Sequence, residues 1–268
     1  MQTSKFQSGM ISSALSGFSL SLVLLAAPVL AADNAASEDA ITPYRPSVSS
    51  PAQLPLAGQL ELELGGLSSR SDQARRHSMP YQLKLAFSQE WGMLVGGELM
   101  VVANDGAGQV DRGYGDTTLV LKRAFVVDEQ SAFGLELSTK TPTAAKAIGS
   151  GSADYAINGI YSRDFGALHM DANLNVMRLG VAEPDTSRSQ TGLSSSFSTA
   201  LSERWGITGE WSGSRRDGTK AQGQVLLALS YSPSKRMTMD IGVSKGLTSS
   251  SPDLALFAGI VLPVAKLW

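Results

Sequence analysis

From residue 168 to residue 176 the chain alternates without a break. Leu168, Met170, Ala172, Leu174 and Val176 are separated by His169, Asp171, Asn173 and Asn175. Only an extended strand sorts such a run into one apolar and one polar face, because successive strand side chains point to opposite sides. A helix would spread the four polar residues around its circumference. The same period of two recurs down the chain. Glu61 and Glu63 lie between Leu60, Leu62 and Leu64, and Lys84 lies between Leu83 and Leu85. Later runs set Glu98, Lys122, Glu136, Asp154, Glu210 and Asp240 opposite apolar neighbours. About twelve such runs follow residue 56, each close to the ~9–11 residues that a tilted strand needs to cross a bilayer.

The connections between the runs are sorted by length. Long polar stretches (65–79, 104–114, 141–152, 182–190, 215–221, 246–253) alternate with short turns near 89–92, 127–130, 164–166, 202–205 and 233–235. Transmembrane β-barrels of the Gram-negative outer membrane have this asymmetry, with short periplasmic turns and longer outer loops. A soluble β-sandwich has no reason to sort its loops so. The expected fold is therefore all-β, an antiparallel transmembrane barrel of about twelve strands. An even strand count places both termini in the periplasm.

The N-terminus reads as an address. Lys5, an apolar core strongest from Phe18 to Ala27, and Val29-Leu30-Ala31 make residues 1–31 a cleavable signal peptide for the Sec pathway. The apolar core is too short for a spanning helix. Residues 32–55 are rich in Ala, Ser and Pro, lack a period, and are expected to form a flexible periplasmic segment. Residues 56–268 are the expected barrel. The last residue, Trp268, resembles the aromatic end by which barrel-assembly machinery recognises such proteins, although Lys266 departs from the pattern.

Composition narrows the chemistry. The chain has no Cys, which excludes disulfides, thiolate nucleophiles and Cys-ligated metals. A formal net charge of -2 gives no electrostatic reason to bind nucleic acid. Charged residues are 17% of the chain, fewer than in a typical soluble domain, and Gly is abundant at 27. No cofactor and no metal site are expected.

Four short segments carry a family resemblance. They are Gly113-Tyr114-Gly115-Asp116-Thr117-Thr118-Leu119-Val120-Leu121-Lys122, Lys140-Thr141-Pro142-Thr143, Gly149-Ser150-Gly151-Ser152-Ala153-Asp154 and Ser251-Pro252-Asp253. In order and spacing they resemble the outer-membrane "transporter" family labelled for the MetA pathway of phenol degradation, over about residues 80 to 265. The resemblance implies a porin-like barrel that passes small molecules, aromatic or hydrophobic for some members. It carries over no catalytic residue. Gly113, Gly115, Asp116, Lys122, Lys140, Pro142, Thr143, Gly149, Gly151, Asp154, Pro252 and Asp253 read as turn and strand-end features.

The expected lumen face carries Glu61, Lys84, Glu98, Lys122, Glu136, Asp154, His169, Asp171, Asn173, Glu210 and Asp240. Charges at membrane depth must face water or each other. Two readings stay open: a water-lined channel for small molecules, or a non-conducting barrel whose interior is filled by ion pairs and which binds lipid or stiffens the envelope. A barrel of about twelve strands lies between filled eight-stranded and open sixteen-stranded types. His169 and Asp171 could form a metal or proton site, though ordinary polar wall residues are the commoner case. A serine hydrolase is disfavoured, because His77 and His169 are the only histidines and neither sits in a recognisable triad pattern. Arg75, Arg76, Arg215 and Arg216 are placed in outer loops, where they are either solvated or in contact with lipopolysaccharide phosphates.

Overall fold

The computed structural model describes residues 40–268. The expected signal peptide, 1–31, and the start of the following segment lie outside the described residues. The chain forms β1 (Gln59–Ser71), β2 (Ala74–Ala86), β3 (Trp91–Asn104), β4 (Val110–Gly113), β5 (Thr117–Val126), β6 (Ser131–Thr141) and β7 (Asp154–Phe165). It continues with β8 (Leu168–Arg178), β9 (Ser189–Ala200), β10 (Trp205–Arg216), β11 (Gln222–Ser234), β12 (Met237–Gly246) and β13 (Leu254–Lys266). Every pairing between these strands is antiparallel and between neighbours around the ring, and β1 pairs with β13, so the sheet closes. Closure leaves twelve strands in the wall, with β4 a short flap hydrogen-bonded to the outer end of β3. A closed barrel has no unpaired edge, which is what a strand-built membrane protein requires in hydrocarbon.

Alternation decides which face is which. Leu135, Leu137, Ile157, Leu174, Val176, Phe197, Trp211, Leu227 and Ile241 are exposed large apolar residues on the outer wall. Their polar neighbours are buried inside. On β8, His169, Asp171 and Asn173 are all less than 9% exposed, while Leu174 is 52% exposed. Trp205 and Tyr231 pack at 4.9 Å between ring centroids at the short-turn end, a geometry suited to an interfacial girdle.

The structure corrects the sequence reading of two outer connections: the stretch 104–114 contains the short strand β4, and the first connection is no loop at all. Residues 65–79 do not form a long loop. Strands β1 and β2 run on to Ser71 and Ala74 and meet in a tight turn at Asp72 and Gln73, with Asp72 at φ 49°. At and above the membrane edge both faces of a strand meet polar surroundings, so no hydrophobic alternation is needed there. Cross-strand backbone bonds alone carry the ladder, and the sequence signal vanishes while the strand continues.

A further correction concerns residues 40–55. They are not a flexible periplasmic segment. They enter the barrel at the short-turn end, where Ile41 N–H donates to the Lys235 carbonyl, climb to mid-depth, and return to start β1. Tyr44, Ser47, Ser49 and Ala52 are fully buried. The composition that suggested disorder also makes burial feasible. Pro43, Pro46, Pro51 and Pro55 have no N–H, so four donors that would otherwise need partners are absent.

Candidate functional site

The interior is built by the wall from outside and by the N-terminal segment from within. The segment's N–H groups are met one after another by wall side chains. Thr42 donates to Glu61, and Tyr44 to Glu63 at 2.6 Å. Val48 and Ser49 both donate to Glu210, at 2.7 and 3.0 Å, and Ser47 Oγ donates to the same carboxylate. Ser50 exchanges two bonds of 2.9 Å with the Asn173 amide, and Ala52 N–H donates to Ser162 Oγ. The wall partners therefore come from β1, β10, β8 and β7. Each neutral bond contributes about 0.5–1.5 kcal/mol net, and those to carboxylates about 1.5–3. Their number holds the segment as a strap across the lumen.

Charges on the inner wall are arranged in closed groups. Lys84 Nζ lies 3.0 Å from Glu61 and 2.6 Å from Glu63, and also donates to the Thr42 carbonyl. Lys122 pairs with Glu136 at 3.1 Å and donates to the Pro51 carbonyl. The Arg45 guanidinium, carried by the segment, forms two bonds to Asp240, at 2.9 and 3.1 Å. Two glycines make room for it, because a Cβ on Gly65 or Gly259 would collide with the guanidinium. Arg76 holds Glu98 in a bidentate pair, both contacts 2.6 Å. His169 sits between Asp164 at 2.5 Å and Asp171 at 3.1 Å, and Ser162 also donates to Asp171. Among the described residues Glu210 has no cation; N–H and O–H donors of the segment take its place. Among the described residues no group of three or more His, Cys, Asp or Glu is disposed to hold a metal ion.

Tyr44 occupies the middle of this arrangement. Its ring has the Lys84 ammonium 4.3 Å from its centroid and the Lys122 ammonium 4.2 Å from it. Its hydroxyl donates to the Gln53 carbonyl. A ring between two cations is held by its negative π faces. The segment thus brings its own aromatic group into a slot lined by wall lysines.

Apart from Lys122, which lies deeper beside Glu136 and Tyr44, the residues of the family resemblance meet at the outer end. Lys140 bridges Asp116 at 3.0 Å and Asp154 at 2.9 Å. The free oxygens of those carboxylates accept from Ala144 N–H and Gly180 N–H, each at 2.9 Å. Thr117 N–H donates to Thr143 Oγ1, next to Pro142. Gly115 N–H donates to the Glu98 carbonyl, and Gly113 and Gly149 face Ala145 and Ala144 so closely that a Cβ on either would overlap them. Gly151 adopts φ 70° in the same loop. Across the mouth, Asp253 accepts from Asp72 N–H at 2.8 Å, and Pro252 crowds Gly246. These residues pin the long loops to the rim of the barrel, a role that spacing in the sequence does not reveal.

Above the strap, in the outer half of the lumen, lies a cavity of about 210 Å³. Arg45 and Val48 contribute to its floor, and Gln82, Glu98, Lys140, Ser214 and Gln224 to its walls. A second cavity of about 90 Å³ lies against Ser50, Glu136, Asn158 and Asn173. The two share Val48, Gln82, Thr118 and Lys140. Of the residues expected on the lumen face, the wall pairs Lys84 with Glu61, Lys122 with Glu136 and His169 with Asp171, whereas Glu210, Asp240 and Asn173 meet the strap and Glu98 meets Arg76. The strap partners Arg45, Tyr44, Ser47 and Ser50 were not singled out, and the only sequence hint of them is the density of Pro and Ser between residues 43 and 55.

No family model matches the chain, and no curated protein matches it in sequence. Solved structures do match in fold. The chain is similar to an outer membrane channel from Pseudomonas putida F1, with a TM-score of 0.64 and 12% identity over 80% of this chain and 98% of that one. It is similar to the NanC porin, with a TM-score of 0.59 and 11% identity over 76% of this chain and 100% of that one. The KdgM porin matches with a TM-score of 0.56 and 12% identity over 76% of this chain and 99% of that one. The shared feature is the outer-membrane type of barrel.

Proposed function

We propose that this chain is a passive channel of the Gram-negative outer membrane for small molecules, exported through the Sec pathway and carrying both termini in the periplasm. The observation that supports the reading best is the charged, hydrogen-bonded inner wall around a cavity of about 210 Å³. A purely structural barrel has no need of open polar volume at its outer mouth. The fold likeness to channels and porins agrees with transport rather than catalysis. Small aromatic or hydrophobic solutes are the substrate class. The family resemblance implies them, and the slot between Lys84 and Lys122 already accommodates the ring of Tyr44.

Passage requires the strap to shift. The expected result in planar bilayers is a small or intermittent conductance for the mature protein and a several-fold larger one when residues 40–55 are deleted. Glu210→Gln, which weakens the strap's bonds while leaving the chain intact, should raise conductance in the same direction. A specific observation favours a second reading, a non-conducting envelope barrel: every strap N–H named above finds a wall partner, so the strap is a well-held filling. Silence from all three proteins in the bilayer, with normal uptake by cells lacking the gene, would leave only that second reading.

A further inference from the structure

The outer ends of β1 to β4 carry three arginines whose position the lumen does not explain. Pairing across the ladder places them on one face. Arg70 of β1 is directly opposite Arg75 of β2. His77 of β2 is opposite Ser68 of β1 and Val102 of β3, and Val102 is opposite Arg112 of β4. Residues opposite one another in an antiparallel pair share a face. The face is the outer one, because the alternate row runs inward: Arg76 joins Glu98 there, and Ser69 and Ser78 are buried. Arg70, Arg75, His77 and Arg112 are all exposed.

None of the three arginines forms an ion pair among the described residues. Arg70 and Arg75 stand directly across from each other, an arrangement that repels and is unfavourable in a sheet unless an anion intervenes. The Asp72 carboxylate, in the turn between β1 and β2, forms no ion pair with Arg70 or Arg75 among the described residues, and the other nearby acids are engaged elsewhere. Glu98 takes Arg76, Asp105 takes the N–H groups of Ala107 and Gln109, Asp111 takes the Gln109 amide, and Asp253 takes Asp72 N–H.

Their height is equally specific. An apolar band of ~25 Å, crossed by strands rising ~3.4 Å per residue at a tilt of ~40°, takes about ten residues. Counted from Leu60 at the short-turn end, that distance ends at about Arg70. Just below the cationic row, at the irregularity between Ser78 and Pro80, the exposed side chains are Met79, Leu99 and Met100. The cations stand at the edge of the band and the flexible apolar side chains just inside it. A molecule that matches both has phosphate groups at the outer headgroup level and acyl chains below.

We propose that Arg70, Arg75 and Arg112, with His77 beside them, form a binding site on the outer wall for the phosphorylated glycolipid of the outer leaflet, lipopolysaccharide. The phosphates accept charge-assisted hydrogen bonds from the guanidinium groups, and the acyl chains lie on Met79, Leu99 and Met100. The site rests on outer-membrane residence, part of the function proposed above, and is independent of whether the barrel conducts.

The test uses the full mature protein, folded in non-ionic detergent, titrated with purified diphosphorylated lipopolysaccharide, its enzymatically dephosphorylated form, phosphatidylglycerol, and inorganic phosphate. Binding is read by native mass spectrometry, and folding by the heat-dependent shift in gel mobility. The native protein is expected to retain the diphosphorylated lipid. The R70Q/R75Q/R112Q variant should lose affinity by about tenfold or more, the loss expected for several charge-assisted bonds, while R178Q should bind as the native protein does. Should the triple variant fail to fold, R75Q alone carries the test, with an expected loss of about threefold. Unchanged binding by the variant would overturn the proposal. So would equal binding of the dephosphorylated lipid, equal binding of phosphatidylglycerol, or complete displacement by millimolar inorganic phosphate. A protein that binds the lipid through this site and never conducts would overturn the channel reading alone.

Discussion

Arg75 and Arg76 are adjacent in sequence and opposite in environment. Arg76 turns into the lumen and meets Glu98 in a bidentate pair of 2.6 Å contacts. Arg75 turns outward and faces Arg70 across the ladder, with no ion pair among the described residues. The pair Arg215 and Arg216 repeats the pattern. Arg216 reaches Glu183 at 3.1 Å and is largely buried, while Arg215 is solvent-exposed, and among the described residues its one ion-pair contact is to Asp217 at 4.0 Å. One register position separates a charge that is part of the fold from one that is free for the surroundings. Inside the barrel a charge is removed from bulk water, and its desolvation must be offset by a fixed partner. At the outer rim water, ions and lipid headgroups serve, so no internal partner is needed.

The largest expected break in this contrast is Lys84→Met. It leaves Glu61 and Glu63 side by side without their cation, and removal of one partner of a buried pair costs about 3–5 kcal/mol. The urea midpoint for unfolding from lipid vesicles is the measurement. A loss below about 1 kcal/mol would mean that the interior carboxylates are solvated, and the inner wall would then resemble the rim. Leu174→Arg comes next. It puts a charge on the lipid face near mid-height and should cost about 2–4 kcal/mol in the same assay. A negligible cost would remove Leu174 from the bilayer.

Smaller and more local is Glu210→Leu, which orphans the N–H groups of Val48 and Ser49 and the hydroxyl of Ser47. A cost of about 1–3 kcal/mol is expected, concentrated on the strap. It is checked by the rate at which a thiol reagent labels a Ser49→Cys reporter, which should rise at least several-fold. Equal labelling would show that the remaining contacts hold the strap unaided. The smallest effect belongs to Arg75→Gln. In lipid-free detergent it should change stability by no more than about 0.5 kcal/mol, and in the stabilising direction, because it relieves repulsion with Arg70. A clear destabilisation would place Arg75 in the fold, like Arg76.

Much of the wall was legible in the sequence. Strand β8 and the short turn at 127–130 are read nearly to the residue from alternation and from loop length, since both follow from a period-two chain confined between water and lipid. The hairpin of β1 and β2 was legible only as far as the membrane extends. At its edge and beyond, Ser68, Ser69, Arg70 and Ser71 give no periodic signal, and the ladder is held by the backbone. The strap was illegible for a different reason. Its partners, Glu63, Glu210, Asn173 and Ser162, lie on four strands scattered over more than half the chain, and no local pattern connects them.

The sequence by itself therefore determined the strand period, the closed antiparallel barrel with its outer and inner faces, and the alternation of short turns with longer connections. Those properties depend on neighbours one or two residues apart. Only the tertiary structure decided that residues 40–55 return into the lumen, that Lys140 unites Asp116 and Asp154, and that Arg75 stands beside Arg70 rather than beside an acid. Closure of the ring sets those contacts. It brings β1 against β13 and assigns each charge a partner by register across strands, a distance that no stretch of sequence records.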